Sequence, residues 1–387
     1  MGYASVFSQI IKHIPRDTFD SIVRKHLGDK GVRTLDCWTW FGALLFGQFT
    51  GHDSIRAIER LFAHGQGKLI SLGLGDVRRS TLADANRTRP VAILEDLFKE
   101  LLIKVERVAP NQHRFHFKGP LYALDSTVIK LSLSLCPWAR FFQSQGACKL
   151  HTAIDLANDL PQFAVITPGH RSDVAIAKQL IHFQKGATVI FDKGYFDYAW
   201  FNRFNRDAIF FVTRAKNNCQ FKVVRSNPID RTQGLICDQI IYLKSKHAQQ
   251  RCLGKLRRIR YRDSNTGNRL TFLTNRFDLD ALTICDLYKA RWDVEVFFKT
   301  LKQNLRIKKF LGTNENAVRA QIWVALIAYL LVMFFRFMSR SSISMPDAMA
   351  VVGSLLLLNI SVAILLGRLP RTTRYPPPSQ LLLPFSI

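Results

Sequence analysis

Asp286-Leu-Tyr-Lys-Ala-Arg-Trp-Asp-Val-Glu-Val-Phe-Phe-Lys-Thr-Leu-Lys302 is the stretch on which the reading of this chain turns. It predicts part of one long helix with two chemically different faces. From Tyr288, the residues Arg291, Glu295 and Lys302 follow at offsets of 3, 7 and 14. At about 100° per residue this confines all four to a stripe roughly 60° wide. Val294, Phe297, Leu301 and Leu305 fall on the other side. Burying that apolar face leaves a carboxylate among a phenol and two cations, a set suited to a metal-bound phosphodiester. The same spacing also fits a solvated face bearing i,i+4 ion pairs such as Arg291 with Glu295.

At 387 residues the chain can bury a full core and carry accessory domains, two or three in all. Its 55 Lys and Arg against 29 Asp and Glu give a formal charge of +26, which points to a polyanionic partner, nucleic acid first. The seven cysteines are odd in number, scattered and never in a CxxC pair, so neither zinc nor a disulfide framework is indicated. A reducing cytoplasm is expected. The first residues lack a charged segment followed by an apolar run, and Val6 stands where myristoylation requires Ser or Thr.

Residues 1–110 read as all helical, with apolar positions at helical spacing over 6–14, 19–27, 38–49 and 55–62. Residues 76–90 contain four arginines, Arg78 and Arg79 among them, with Thr81-x-x-Asp84 as a usable capping box. They form either a short DNA-facing helix or a basic solvated turn.

From residue 121 the period changes. Strands are expected at 121–127, 150–156, 162–167, 187–191 and 208–213, with helices at 172–183 and 198–206. The order βββαβαβ, followed by the Tyr288 helix, is that of an α/β, ribonuclease-H-like fold with a mixed sheet. Asp125 then ends the first strand and Asp192 the fourth, on neighbouring strands. Either alone would be an ordinary turn or cap residue. With Glu295 they would hold two divalent cations about 3.5–4 Å apart for phosphodiester cleavage. Residues 217–270 exceed what one strand and one helix need and read as a β-rich insertion. Arg251, Lys255, Arg257, Arg258, Arg260 and Arg262 place six cations in twelve residues. They suit a phosphate-clamping strand or a charged edge that prevents aggregation.

After Lys302 two uncharged apolar runs, 322–335 and 348–366, read as core helices, the first too short to span a bilayer. Their apolar surplus is expected either in a subunit interface or in an ordinary core. A Pro-rich tail, 367–387, closes the chain.

The spacing Tyr288-x2-Arg291-x3-Glu295-x6-Lys302, with Asp125-Ser-Thr and Asp192-Lys-Gly-Tyr before it, resembles the insertion-sequence-4 family of bacterial DDE transposases. Residues 80–86 are also similar to that family's N-terminal module. The resemblance covers residues 4–335. It implies a helical DNA-binding domain over 1–110, a catalytic domain over 118–310 with its β-rich insertion, and a C-terminal helical region over 311–366. The implied activity is cut-and-paste transposition of an insertion sequence at terminal inverted repeats, by a homodimer acting on double-stranded DNA. Asp125, Asp192 and Glu295 would bind two Mg²⁺ or Mn²⁺ ions. Tyr288, Arg291, Lys302 and Lys193 would position phosphates, with Lys149 and His151 adding contacts unless His151 is a core histidine. One feature departs from some relatives, which stack a flipped base on a tryptophan of the insertion. No tryptophan occurs here between Trp200 and Trp292, leaving Phe221, Tyr242 or Tyr261 for that task. The rival readings are a catalytically inactive, transposase-derived repressor and a helical membrane protein, the latter disfavoured by charge and strand pattern. No membrane association and no small-molecule substrate are expected.

Overall fold

The computed structural model describes residues 4–52, 54–110, 115, 117, 119–132, 136–142, 145–245, 254–264, 266–303 and 310–368. Arg251, Leu305 and almost all of the Pro-rich tail lie outside the described residues.

Six helices come first: α1 (Val6–Lys12), α2 (Arg16–Lys25), α3 (Cys37–Thr50), α4 (Ile55–Ile70), α5 (Arg79–Thr88) and α6 (Ala92–Glu106). Helix α3 is buried from Cys37 to Phe49, capped by the Asp36 carboxylate on the Thr39 N–H and ended by Gly51 at φ 68°. A helix apolar all round must be enclosed on every side. Its enclosure comes from the far end of the chain. Helix α11 (Glu315–Met338) runs across α3, α5 and α6, buried from Ala317 to Phe335 except for Arg319. Polar contacts fix its position. Asn316 Nδ2 donates to the carbonyls of Asn86 and Arg89, and Trp323 Nε1 donates to Glu95 Oε1. Among the described residues α11 is long and apolar enough to cross a membrane, and 94% of its most apolar window is buried inside the protein.

The apolar run at 348–366 forms two short helices, α12 (Met345–Ser354) and α13 (Val362–Arg368), where one was expected. A Cβ at Gly353 of α12 would lie 2.5 Å from the Phe49 carbonyl oxygen of α3, so the backbones meet there directly. The N–H groups of Val6 and Phe7 donate to the carbonyls of Leu358 and Leu356 at 2.9 and 2.8 Å. Much of the apolar surface of the C-terminal helices is thus used in closing the N-terminal bundle within one chain, while Met338 and Leu358 remain exposed.

Among the described residues ten strands form one sheet: β1 (Leu121–Leu131), β2 (Arg140–Phe142), β3 (Gln145–Asp155), β4 (Leu160–Pro168), β5 (Thr188–Phe191), β6 (Phe210–Arg214), β7 (Phe221–Ser226), β8 (Leu235–Leu243), β9 (Leu256–Arg262) and β10 (Arg269–Thr274). The order is β2-β3-β1-β5-β6-β10-β9-β8-β7, with β4 also paired to β3. Strands β1, β5 and β6 are parallel and all other pairs antiparallel. Helices α7 (Asp173–Leu180) and α8 (Tyr198–Arg206) are the crossovers, and this mixed α/β arrangement is compatible with a ribonuclease-H-like core. The β-rich segment is continuous with that core, because β10 pairs directly with β6.

Two expectations need correction. Asp125 does not end its strand, since β1 continues to Leu131 on the antiparallel ladder with β3; it is the parallel partner β5 that stops, at Phe191 opposite Leu124. The Tyr288 stretch is two helices, α9 (Ala281–Ala290) and α10 (Trp292–Gln303). At their junction the N–H groups of Arg291 and Val294 bond three residues back, to Tyr288 and Arg291, tightening the turn at Arg291.

Candidate active site

Leu124 and Phe191 are the last register partners of β1 and β5, so Asp125 and Asp192 follow side by side where the two strands part. The Asp192 carboxylate folds over the turn that follows, accepting the Gly194 N–H at 2.7 Å, while its own carbonyl accepts Thr213 Oγ1 from β6. A Cβ at residue 194 would lie 2.8 Å from Asp192 Oδ1, which is why Asp-Lys-Gly suits this turn.

Helix α10 lays Val294, Phe297 and Leu301 into the core and packs against β1. Glu295 is left on the accessible side. Arg291, at the helix junction, bridges two of the acids: Nη1 lies 3.2 Å from Asp125 Oδ2 and Nη2 lies 2.6 Å from Glu295 Oε1. Its side chain is 16% exposed, and it lies over the Tyr288 ring, which packs on Phe272 of β10. Burial pushes the Asp125 carboxyl up from 3.8 to about 6, and the charges of Asp192 and Glu295 add to the rise. Arg291 and the Ser126 N–H oppose it. Burial likewise raises the Tyr288 phenol.

Among the described residues no three His, Cys, Asp or Glu side chains stand close enough to hold a metal as they are. The Arg291 guanidinium lies between Asp125 and Glu295 as their counter-cation. The donor set itself, three carboxylates, is of the hard-oxygen type that Mg²⁺ and Mn²⁺ take.

Lys193 is exposed at the turn after Asp192, and Lys302 is half-buried on α10. Arg78 and Arg79 are exposed at the start of α5. The Thr81 capping box does not form: Arg78 is the N-cap residue, Thr81 Oγ1 donates to the Arg78 carbonyl, and Glu59 takes the Arg79 N–H.

Several expected phosphate contacts are turned elsewhere. His151 is 1% exposed, bonded through Nε2 to Thr167 Oγ1, and burial lowers it to about 4, with Lys149 adding and Asp173 opposing. It is a neutral core histidine at physiological pH. Lys149, 13% exposed, donates to Asp173 and to the Arg171 carbonyl. In β9 the strand period of two splits the cationic run. Arg257 points inward, where it is only 6% exposed and makes a two-pronged pair with Asp238 at 2.8 Å. Arg258 lies over Phe221 and donates to Gln239 Oε1. Arg260 is half-buried, and Lys255 and Arg262 are exposed. Arg262 stands opposite Arg269 of β10, with Asp263 next to it in the chain. Of the three candidate stacking rings, Tyr261 is buried beneath Lys289, Phe221 is covered by Arg258, and Tyr242 is 41% exposed.

Residues 116–331 match the family model described as a transposase DDE domain, and residues 3–75 match a domain of unknown function. The chain belongs to the DDE transposases. It is 38% identical over 269 residues to a chain of Sinorhizobium fredii named as transposase y4zB, covering 68% of this chain and 73% of that one. It is 32% identical to a chain of Geobacillus stearothermophilus named as a transposase for insertion sequence element IS5377, covering 70% of each. A Synechocystis chain named for element IS4SA is 22% identical over 69% of this chain and 75% of its own length. This transposase is accordingly an insertion-sequence enzyme that cleaves DNA and transfers strands. Ser126 and Tyr195 stood in the quoted motifs without a role, and sequence reasoning passed over Asp173, which accepts the Ser126 hydroxyl beside Asp125. Asp173 opens α7 and looks like any first-turn acid; no spacing rule links it to a residue 48 positions earlier.

Proposed function

We propose that this transposase moves an insertion sequence of the insertion-sequence-4 type by cut-and-paste, with Asp125, Asp192 and Glu295 as its catalytic acids on a ribonuclease-H-like core. The observation that carries the reading is the Arg291 bridge from Asp125 to Glu295, beside Asp192 on the next strand. Those three carboxylates would hold the two divalent ions, Mg²⁺ or Mn²⁺. When bound, such ions supply Lewis acidity at the scissile phosphate and lower the pKa of an attacking water or 3′-hydroxyl.

The chain's own residues do the rest. Arg291, released from its carboxylates, turns to a phosphate oxygen, for which its planar fork is suited. Tyr288, held under Arg291 and against Phe272, sets the direction of that turn. Lys193 and Lys302 flank the acids and neutralise the neighbouring phosphates. Further out, Arg260 and Arg262 of β9 and Arg269 of β10 bring three cations together as a strip on neighbouring strands, which supports a DNA path along this part of the sheet. Arg78 and Arg79, on the N-terminal bundle of residues 1–110, contact the transposon end. Two ends are processed together, so the active assembly is a pair of chains acting on nucleoid DNA in the cytoplasm.

Cleavage of duplexes carrying the element's ends tests the assignment. Asp125→Asn, Asp192→Asn and Glu295→Gln are each expected to abolish metal-dependent nicking while keeping DNA binding. Metal-dependent cleavage retained by Glu295→Gln would remove Glu295 from the site. For the strip, Arg260→Ala with Arg262→Ala is expected to reduce the salt slope of binding by about one to two phosphate contacts. An unchanged slope would place the strip away from DNA.

A further inference from the structure

Behind the catalytic face, on the other side of the sheet, lies a polar cluster that the chemistry above leaves unused. Successive residues of a strand point to opposite faces. Asp125 points to the α9–α10 side and meets Arg291, while Ser126 points to the α7 side and meets Asp173. Ser126 therefore touches both. Its backbone N–H donates to Asp125 Oδ1 at 2.8 Å, and its hydroxyl donates to Asp173 Oδ1 at 2.8 Å.

Asp173 is itself tightly held. Lys149 Nζ lies 3.2 Å from it and His151 Nδ1 lies 3.5 Å from it, both from β3. Register places His151 directly opposite Ser126 and Lys149 opposite Val128, so all these side chains share one face under α7. The Tyr195 side chain is buried beside Ser126, close enough for the charges of Asp125 and Asp173 to act on its hydroxyl. A half-buried carboxylate with a lysine and a neutral histidine is an expensive way to fill space, since apolar packing of similar volume is often as stable or more so. Its position is also specific. It meets β1 at Ser126, two residues beyond the last pair with the parallel partner β5, so the strand there has no neighbour on that side.

From this juxtaposition we infer that Asp173 and Ser126 form a through-sheet brace that holds the Asp125 carboxylate in its metal-binding orientation. Ser126 and Asp173 are thus positioning residues, acting on the metal through Asp125, and the inference rests on Asp125 being a metal ligand. Lys149 fixes the Asp173 carboxylate, Asp173 fixes the Ser126 hydroxyl, and the Ser126 N–H then leaves one Asp125 oxygen tied and the other, now on Arg291, available to a cation. Partners one shell out from a metal ligand commonly alter affinity by 10–100-fold.

Mn²⁺ affinity of the full chain without DNA, by calorimetry and by electron paramagnetic resonance of free Mn²⁺, tests the brace. Ser126→Ala and Asp173→Ala are each expected to weaken Mn²⁺ binding by about tenfold. The double variant should lose no more than either single one, because both cut the same path. Ser126→Thr, which keeps the hydroxyl, should restore wild-type affinity; this pair carries the test should Asp173→Ala fail to fold. Wild-type affinity in Ser126→Ala, or losses that multiply in the double variant, would overturn the brace. Asp125→Asn serves as the reference: if it binds Mn²⁺ like wild type, the metal assignment itself falls, whereas its loss alongside an unaffected Ser126→Ala refutes only the brace.

Discussion

Replacing Asp125 with asparagine should inactivate the enzyme and, in the absence of metal, make it more stable. Burial and two neighbouring carboxylates lift Asp125 from 3.8 to about 6. Between those values the folded protein keeps a proton that the unfolded chain has released, so stability falls as pH rises through the window and stays reduced above it. At about 1.4 kcal/mol per tenfold change in proton affinity, the ionised carboxylate costs up to about 3 kcal/mol at pH 7.5. Asp125→Asn removes that cost but also takes an anionic partner from Arg291, so a net gain of about 1–2 kcal/mol is expected. Urea denaturation in a chelator at pH 7.5 measures it. The gain should shrink as pH falls through the window and vanish below about pH 4, where the wild-type carboxyl is protonated in both states. A variant less stable than wild type at pH 7.5, or a gain independent of pH, would show that burial of the Asp125 charge carries no net cost beyond what Arg291 offsets.

Arg291→Met should bind Mn²⁺ more tightly than wild type in the absence of DNA, because the counter-cation between Asp125 and Glu295 is gone, yet cleave DNA more slowly; weaker Mn²⁺ binding would show that Arg291 instead organises the carboxylates for metal. Arg257→Ala should cost about 3–5 kcal/mol, since it strands the buried Asp238, and leave the salt slope of DNA binding unchanged in whatever fraction folds, as denaturation and filter binding would report. Truncation after Asn314 should give a chain with an unfolded N-terminal bundle, seen as lost protection of α3 and α6 in hydrogen exchange, because α11 is what covers them.

The three candidate acids stood out in the sequence because each sits in a short local motif, and the Tyr288 stretch stood out because helical periodicity puts Tyr288, Arg291, Glu295 and Lys302 on one stripe. What was not legible depends on partners distant in sequence. Arg257 looked equivalent to Arg258 and Arg260 until its pairing with Asp238, 19 residues earlier, was known. Strand alternation alone could have separated the two faces of β9, but not said which was buried. The break at Arg291 has no Pro or Gly to announce it. The run at 322–335 was readable as core from its composition, whereas the identity of what it covers is set by tertiary packing. Apart from the short β2, which was not foreseen, the helical and strand elements from β1 to β6 follow the order expected, since alternation between periods of 3.6 and 2 is a local property.

The interlock of the first and last helices also sets a schedule. Helix α6 ends at residue 106 and α11 at residue 338, so during synthesis the N-terminal helices emerge long before the helix that completes their core. At about 5–20 residues per second, that interval is roughly 10–50 s. Throughout it the apolar stripes of α3 and α6 are uncovered, making this the period of greatest exposure to chaperones and proteases. A copy of the gene interrupted before residue 315 would yield a chain permanently fixed at that stage, destined for degradation and not for competition at the transposon ends. Decayed copies of such an element would then be silent bystanders to an intact one, a property that follows from where in the chain the central helix is encoded.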